Sequence, residues 1–322
     1  MNNTAFVSVV MPARDASSTI SQAIASIQSQ TLKNWELIVV NDGSVDDTEL
    51  IVQQHEEQDD RIRLISGVGA GEPAARNMGI EVAVGEWIAM MDADDVARPH
   101  RLERQLHFVK THPDLFVAAS QATLFVDYGT PLGRSSASAP TTTRELDELK
   151  ERRHLFVLCH PTFMFNAEKL RDLGGYDTAF MQACDTEVIN RAVYLHNETL
   201  LMQPEELIWY RIAAGGMSTK GLALQRRVLR YLEYRNESWM AGDAPVSLSV
   251  WLESSSGTGQ FRHWRHDAGA VLYRQAGILV GKRAWVRAFT RLIGALVLHP
   301  RYVMRKLRSQ QVTRALPWIR RE

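Results

Sequence analysis

Four times within about 110 residues, a short apolar run gives way to a stretch whose apolar residues recur every three or four positions. Phe6 to Met11 is the first run, closed by Pro12, and Ile20, Ile24 and Ile27 then form one helical face. Trp35 to Val40 is the second, ending in the turn Asn41-Asp42-Gly43-Ser44. Ser44 with Asp47 three residues on has the pattern of a capping box for the next helix. Arg61 to Ile65 is the third. After it, Glu72-Pro73 puts proline at a helix start, with Ala75, Met78 and Val82 on one face. Glu86 to Met91 is the fourth, and Pro99 opens a helix carrying Leu102, Leu106 and Val109 inward. This alternation predicts right-handed βαβ units and a mostly parallel sheet covered by helices on both faces, an α/β fold. It also lines up the strand-end residues Asp15, Asp42 and Asp92 along one edge of the sheet.

That edge is where open α/β sheets bind ligands, and there the fourth strand runs into Asp92-Ala93-Asp94-Asp95. Clustered carboxylates repel one another unless a cation neutralises them. Oxygen-only ligands suit a hard divalent ion, often shared with a substrate's phosphates. The stretch therefore reads as a metal–diphosphate site, the alternative being a solvated acidic turn.

Downstream, Phe116 to Asp127 reads as a strand and Gly129 to Thr143 as a Gly-, Ser-, Pro- and Thr-rich loop. Leu155 to Phe165 is apolar, but His160-Pro161 argues against one uninterrupted helix. Gly174-Gly175-Tyr176-Asp177 reads as a turn, Asp185 to Leu195 as a helix with Val188, Ala192 and Leu195 on one face, and Leu200 to Arg211 as extended chain. Gly215-Gly216 marks a boundary between a catalytic domain at 1–216 and a mostly helical basic region at 217–322. Within the latter, Leu222 to Trp239 and Ala268 to Leu307 look helical, joined through the flexible run Ser254 to Gly259.

The zero net charge hides an asymmetry. From Arg262 to Glu322 there are 14 Lys and Arg against two acids, Asp267 and Glu322, giving +12, and the preceding residues carry −12. In the basic region Trp264, Val271 and Leu272 gather at helical spacing, and Trp285, Phe289, Leu292, Leu296 and Tyr302 recur among arginines. A basic amphipathic helix suits an anionic membrane surface. The alternative is a helical subdomain packed on the acidic core. No recognisable nucleic-acid motif accompanies the charge. Cys159 and Cys184 form neither a disulfide framework nor a metal pattern, which fits reduced thiols of a cytoplasmic protein. Polar Met1 to Thr4 gives no expectation of a signal peptide. The most apolar window, Ala276 to Leu298, is broken by Lys282, Arg283, Arg287 and Arg291, so no membrane span is expected.

Six blocks resemble, in order, the inverting family 2 glycosyltransferases of GT-A (Rossmann-like) fold. They are Val9 to Asp15, Trp35 to Ser44, Ala74 to Ile80, Gly85 to Asp95, His160-Pro161-Thr162, and Gly174 to Asp177 leading to Asp185. The resemblance spans Val7 to Ser218. It implies transfer of a sugar from a nucleotide-diphospho-sugar, most often a UDP-sugar, with a divalent metal, Mn2+ or Mg2+. Pro12 and Asp15 would help form the nucleotide pocket, Asp42 would bind the nucleobase, and Arg76 would lie near the nucleotide. Asp92 and Asp94 would be the outer residues of the Asp-X-Asp motif, Asp94 the more direct metal ligand and Asp92 facing the ribose or supporting the metal. Physical chemistry is compatible with these roles: an ionised Asp is an acceptor for nucleobase N–H groups, and Arg76 offers a planar fork. Asp42 could instead be a turn residue, and Arg76 could pair with Glu72 on a helix surface.

The same resemblance makes Asp185 the general base, with Glu187 as fallback. Asp185 could also cap its helix. Cys184 stands where the family carries a glutamate before the base, and reads as a small packing residue. Tyr210-Arg211-Ile212-Ala213 lacks the histidine of the family's Tyr-Arg-X-His, leaving Arg211 to reach the diphosphate. The Gln-X-X-Arg-Trp signature of processive synthases is absent, which points to addition of one or a few sugars. His160 reads as a core histidine, or as one that approaches the acceptor or metal. The acceptor class implied is a glycan or lipid-linked glycan of bacterial surface or extracellular glycan (polysaccharide) assembly, at the inner face of the cell membrane. Two other readings compete: a phosphohydrolase using Asp92 and Asp94, and a non-catalytic nucleotide-sugar-binding scaffold.

Overall fold

A computed structural model of the chain describes residues 7–126, 128–135, 139–212, 221–254, 260–281 and 284–309. The first half alternates as its apolar periods require: β1 (Val7–Ala13), α1 (Ile20–Gln28), β2 (Trp35–Asn41), α2 (Thr48–Gln58), β3 (Ile62–Ser66), α3 (Glu72–Val82), β4 (Trp87–Met90), β5 (Val96–Ala97) and α4 (Arg101–Lys110). Then come β6 (Leu115–Phe125), β7 (Pro131–Arg134), α5 (Thr143–Glu151), β8 (Met164–Asn166), α6 (Ala167–Asp172), α7 (Cys184–Leu195) and β9 (Thr199–Arg211). Five helices follow: α8 (Leu222–Ala241), α9 (Leu248–Ser254), α10 (Gln260–Gly281), α11 (Trp285–Leu298) and α12 (Pro300–Ser309).

The strands form a sheet in the order β3-β2-β1-β4-β8-β6-β9-β5, with β7 on β6. Strands β3, β2, β1 and β4 are parallel, as the βαβ reading requires. Antiparallel β8 joins them to β6, which pairs in parallel with β9. Successive residues of a strand face opposite sides, so runs apolar at every position need cover on both faces. Val10, Ile38, Val40, Ile88 and Met90 pack under α3, α7 and α8. Val9, Met11, Leu37, Val39 and Ala89 pack under α1 and α4, where Ile20, Ile24, Ile27, Leu102, Leu106 and Val109 are all buried. Helix α3 sits close because Gly79 has no side chain: a Cβ there would come within 2.5 Å of Val10 Cγ1.

Several sequence expectations are corrected. Pro12 does not close β1 but lies inside it. The Val10 carbonyl accepts from Met91 towards β4 and the Ala13 carbonyl accepts from Asp42 towards β2. Pro12 therefore faces the β4 side, where pairing ends at Val10 and no N–H is needed. The Ser44–Asp47 box does not form, because Ser44 Oγ accepts from the Asp15 N–H instead, 3.0 Å. The stretch 129–143 is not wholly loop, since β7 pairs with β6 there. Leu195 is exposed at the end of α7 rather than inward. Gly215-Gly216 and most of the run 254–259 lie outside the described residues.

The helical region is tied to the core and to itself by buried charge. Arg235 of α8 pairs with Glu187 of α7 at 2.8 Å. Asp267 of α10 accepts from Arg226 and Arg230 of α8, at 2.5 and 3.1 Å. Among the described residues no helix is long and apolar enough to cross a membrane.

Candidate active site

The site is assembled where β1, β2 and β4 end. Beyond β2, Asp42 is buried and its Oδ2 accepts from the Gly71 N–H at 2.9 Å. That contact needs the 67–71 loop to press against the strand end: a Cβ on Gly67 would lie 3.0 Å from the Asn41 carbonyl oxygen. Beyond β1, Asp15 takes a left-handed backbone (φ 49°), which Asp tolerates better than most residues. Its Oδ1 accepts from the Val45 N–H at 2.9 Å, so the loops after β1 and β2 are joined.

Beyond β4, the acidic residues make a turn in which the Asp95 N–H donates to the Asp92 carbonyl, 3.2 Å. The three carboxyls differ sharply in environment. Asp92 Oδ1 lies 3.3 Å from Arg76 Nη2 and 3.5 Å from His160 Nδ1. Burial pushes Asp92 upward, but His160 and then Arg76 outweigh it and bring the carboxyl down to about 2. Asp94 has no such partner, and burial followed by the Asp92 charge raises it from 3.8 to about 6. Asp95 is buried deeper still, and burial, then Asp94 and Asp92, hold it well above the usual carboxylate range. Its Oδ1 accepts from the Arg211 N–H at 2.7 Å, while Arg211 Nε donates to the Asp94 carbonyl at 2.6 Å. Arg211 thus clasps the turn from β9. From beneath, fully buried Arg101 donates to the Met90 carbonyl at 2.7 Å.

Arg76 is the hub. It is buried on α3 and pairs with Glu72 one turn back, so that pair exists but is not a surface one. Besides Asp92 it reaches Cys184 Sγ at 3.1 Å. That contact brings the start of α7, and with it Asp185, to the acidic turn. Asp185 is not the cap of α7. The capping position is Ala183 in a left-handed conformation, and Asp185 sits in the first turn with Oδ1 on the Thr186 N–H, 2.7 Å. The positive end of the helix dipole favours a carboxylate there. Burial pushes the Cys184 thiol up to about 12 despite Arg76, which fits a packing residue and not a nucleophile. Glu187 is fully buried between Arg191 and Arg235, so it is withdrawn as the fallback base.

His160 belongs to the site's wall, buried as expected but beside Asp92. Its Nε2 meets the Tyr176 hydroxyl at 2.7 Å. Asn77 holds Tyr176 in turn: its Oδ1 accepts from the Tyr176 N–H and its Nδ2 donates to the Tyr176 carbonyl, both 2.8 Å. Sequence reasoning missed Tyr176, Asn77 and Arg101. The first two stand inside the quoted blocks, which was the available signal, and Arg101 carried none.

Among the described residues, no three His, Cys, Asp or Glu side chains converge as a complete metal cage. The donor set nonetheless suits a hard cation that completes its shell with substrate oxygens. Asp94 has no ion-pair partner within 4 Å among the described residues and is raised by burial and then by the Asp92 charge, an electrostatic deficit that such an ion would relieve.

The family model described as Glycosyl transferase family 2 matches residues 8–174, over half the chain and most of this site. The chain belongs to glycosyltransferase family 2. EpsE of Bacillus subtilis, which bears a glycosyltransferase name, is 35% identical over 178 residues, covering 55% of this chain and 62% of EpsE. The chain therefore spans less than two thirds of that relative. The Escherichia coli protein WfgD, named a UDP-Glc:alpha-D-GlcNAc-diphosphoundecaprenol beta-1,3-glucosyltransferase, is 42% identical over 101 residues, 31% of this chain and 39% of WfgD. Staphylococcus aureus TarS (residues 1–349, with UDP-GlcNAc) shares the fold at a TM-score of 0.58 and 17% identity, covering 92% of this chain and 91% of that one. The Pyrobaculum calidifontis mannosyltransferase PcManGT, solved with GDP-Man and Mn2+, does so at 0.55 and 15%, covering 92% and 87%. This family 2 member thus has the mixed α/β fold of GT-A glycosyltransferases, with helices following its sheet.

The raised Asp94 has a consequence for stability. A carboxyl whose pKa rises on folding stabilises the fold while protonated, fully below its unfolded value of 3.8, and that contribution is lost as pH rises through about 6. Asn cannot ionise. In metal-free protein, Asp94→Asn is expected to raise unfolding free energy by about 2 kcal/mol above pH ~7 and by nearly nothing near pH ~4. Urea midpoints at the two pH values check this, and a gain independent of pH would contradict the assignment.

Proposed function

We propose that this glycosyltransferase is metal-dependent and inverting, and moves a sugar from a nucleotide-diphospho-sugar to an acceptor hydroxyl. The observation that carries the reading is the convergence on Asp92 of Arg76, His160 and, through Cys184, the start of α7. Asp42 accepts from the nucleobase, with Pro12 and Asp15 shaping the pocket beside it. Arg76, charged and buried, fixes Asp92 towards the ribose and adds positive potential near the diphosphate. Asp94, with Asp92 behind it, holds the divalent ion, which would stabilise charge on the departing diphosphate. Arg211 keeps the Asp94 backbone in place and contributes charge on the same side. Asp185 takes the proton from the acceptor oxygen as that oxygen bonds to the anomeric carbon and the nucleoside diphosphate leaves from the opposite face. A UDP-sugar as donor and a lipid-linked glycan as acceptor are the classes in the names of TarS's ligand and of WfgD. They support a reading of this chain's reaction as a step of bacterial surface glycan assembly, at the inner face of the cell membrane.

The phosphohydrolase reading would need Asp92 as a free nucleophile, whereas Asp92 is engaged by Arg76 and His160. The scaffold reading is separated by product formation. Calorimetric titration with UDP, GDP and TDP, each with and without Mn2+, is expected to give Mn2+-dependent binding of UDP, weakened at least roughly tenfold by Asp94→Asn. Binding of none of the three would overturn the proposal. Tight binding of UDP that ignores both metal and Asp94 would remove the metal from it.

A further inference from the structure

Helix α11 is built inside out. Its inward side is small: Ala288 and Ala295 are buried, and a Cβ on Gly294 would come within 2.9 Å of Leu272 Cδ1 on α10. Helix α10 meets the end of α11 with Gly269, where a Cβ would lie 3.3 Å from Leu298 Cβ and 2.6 Å from Cβ of His299, the residue that follows the helix. The large apolar side chains point away. Val286 is 80% exposed, Phe289 60%, Ile293 46% and Val297 72%, at spacings of three and four that make one narrow stripe. Trp285, 54% exposed, extends it at the first turn. The stripe differs from the one periodicity suggested, because Leu292 and Leu296 are half-buried while Val286, Ile293 and Val297 replace them. A water-facing helix has the reverse distribution. Small residues between close helices with large apolar ones outside is the arrangement found where the surroundings are lipid.

The charge around the stripe selects the occupant. Arg287 and Arg291 on α11, and Arg301 and Arg305 on α12, are exposed. The whole region from Arg262 onward carries +12. A second copy docking through the same face would bring two such regions together, whereas anionic headgroups neutralise them. We propose that α11 lies in the plane of an anionic bilayer, with Val286, Phe289, Ile293 and Val297 among the acyl chains and the flanking arginines at the phosphates. The helix is too short and too charged at its flanks to span, and among the described residues no helix can. Such a surface would hold the catalytic core at the level of a lipid-linked acceptor, and in that respect it deepens the reading of the acceptor given above.

The test uses the full chain and vesicles of phosphatidylcholine, with or without one third phosphatidylglycerol. Co-sedimentation is expected with the anionic vesicles and to weaken as salt is raised. The double variant Phe289→Ser/Ile293→Ser is expected to bind them roughly tenfold or more weakly, since two large apolar groups no longer leave water. Both side chains are exposed, so its melting temperature and UDP binding should stay at wild-type values. Vesicle binding and nucleotide binding are separate readouts, so failure of either leaves the other standing. No sedimentation with either vesicle, or equal sedimentation of the variant, would overturn the proposal. So would a lipid-free dimer that the same double variant dissociates, since the stripe would then belong to a second copy.

Discussion

Asp185→Asn is expected to reduce sugar transfer by roughly 10²- to 10⁴-fold while nucleoside diphosphate affinity changes by less than about twofold. The two parts of that expectation come from different atoms. Asn keeps the size of the side chain and an oxygen for the Thr186 N–H, so the first turn of α7 and its contact with Arg76 through Cys184 should persist. What disappears is the capacity to take a proton. The two side chains beside it on α7 do not replace it. Glu187 is locked between two arginines, and the Cys184 thiol, raised to about 12 by burial, stays protonated in the neutral range. Cys184 also removes a like charge from beside Asp185. Glu72, which pairs with Arg76, has its carboxyl pushed up by burial despite that arginine. Product formation with the titrated donor, set beside calorimetric affinity for the diphosphate, separates the effects. Full transfer by the variant would place the base elsewhere. Loss of transfer together with loss of affinity would make Asp185 a donor-site residue.

The first half of the chain was legible because each strand there is apolar at consecutive positions and each helix has one apolar face. Val9, Val10 and Met11 need cover on both sides, and Ile20, Ile24 and Ile27 supply it on one. Strand ends could be read as well, since Asp42 and Asp92 follow immediately on buried runs. Short elements carried too few residues for a period. Strand β5 is two residues long, and it pairs with β9 beside the contact of Arg211 with Asp95, far away in sequence. Strand β7 is exposed at every position, so no apolar alternation marked it. The inversion at Ser44 arose because its hydroxyl had two possible N–H partners. Helix α2 begins at Thr48 with Asp47 in the capping position, so Ser44 lies too far upstream to cap it and accepts from the Asp15 N–H. At the site, residue types were visible but their pairing was not. Spacing put Glu72 beside Arg76, yet nothing local showed that Arg76 is buried or that it also meets Asp92 and Cys184, 16 and 108 residues away.

The same long-range logic governs the coupling of the helical region to catalysis. Arg235→Leu is expected to destabilise the protein by about 2–4 kcal/mol and lower its melting temperature by several degrees. Glu187 Oε1 accepts from Arg235 Nη1 at 2.8 Å and from Arg191 Nε at 2.9 Å, with no exposed surface. Arg235 is held on its other side by the Trp239 ring, 4.3 Å from its centroid, and by Phe180 at 5.4 Å. Beside this pair, Asn236 donates to Asn190, which itself brackets the backbone of Phe156. Burial lowers the Arg235 pKa while Glu187 holds it up, so each charge is tolerated because of the other. Removing the arginine leaves Glu187 with Arg191 alone, and Arg191 is shared with the carbonyls of Leu173 and Gly175, both at 2.6 Å. The double variant Glu187→Gln/Arg235→Leu is expected to recover part of the loss, because the carboxylate that lost its second arginine is gone, while Arg191 keeps only the Leu173 and Gly175 carbonyls. Urea denaturation of the wild type, the two single variants and the double variant closes the cycle. Glu187 is two residues from Asp185 on the same helix, so the single Arg235 variant should also lower kcat more than donor affinity. A coupling energy near zero would mean that the Arg235–Glu187 pair does not hold α8 to α7, and that it does not help to set the position of Asp185.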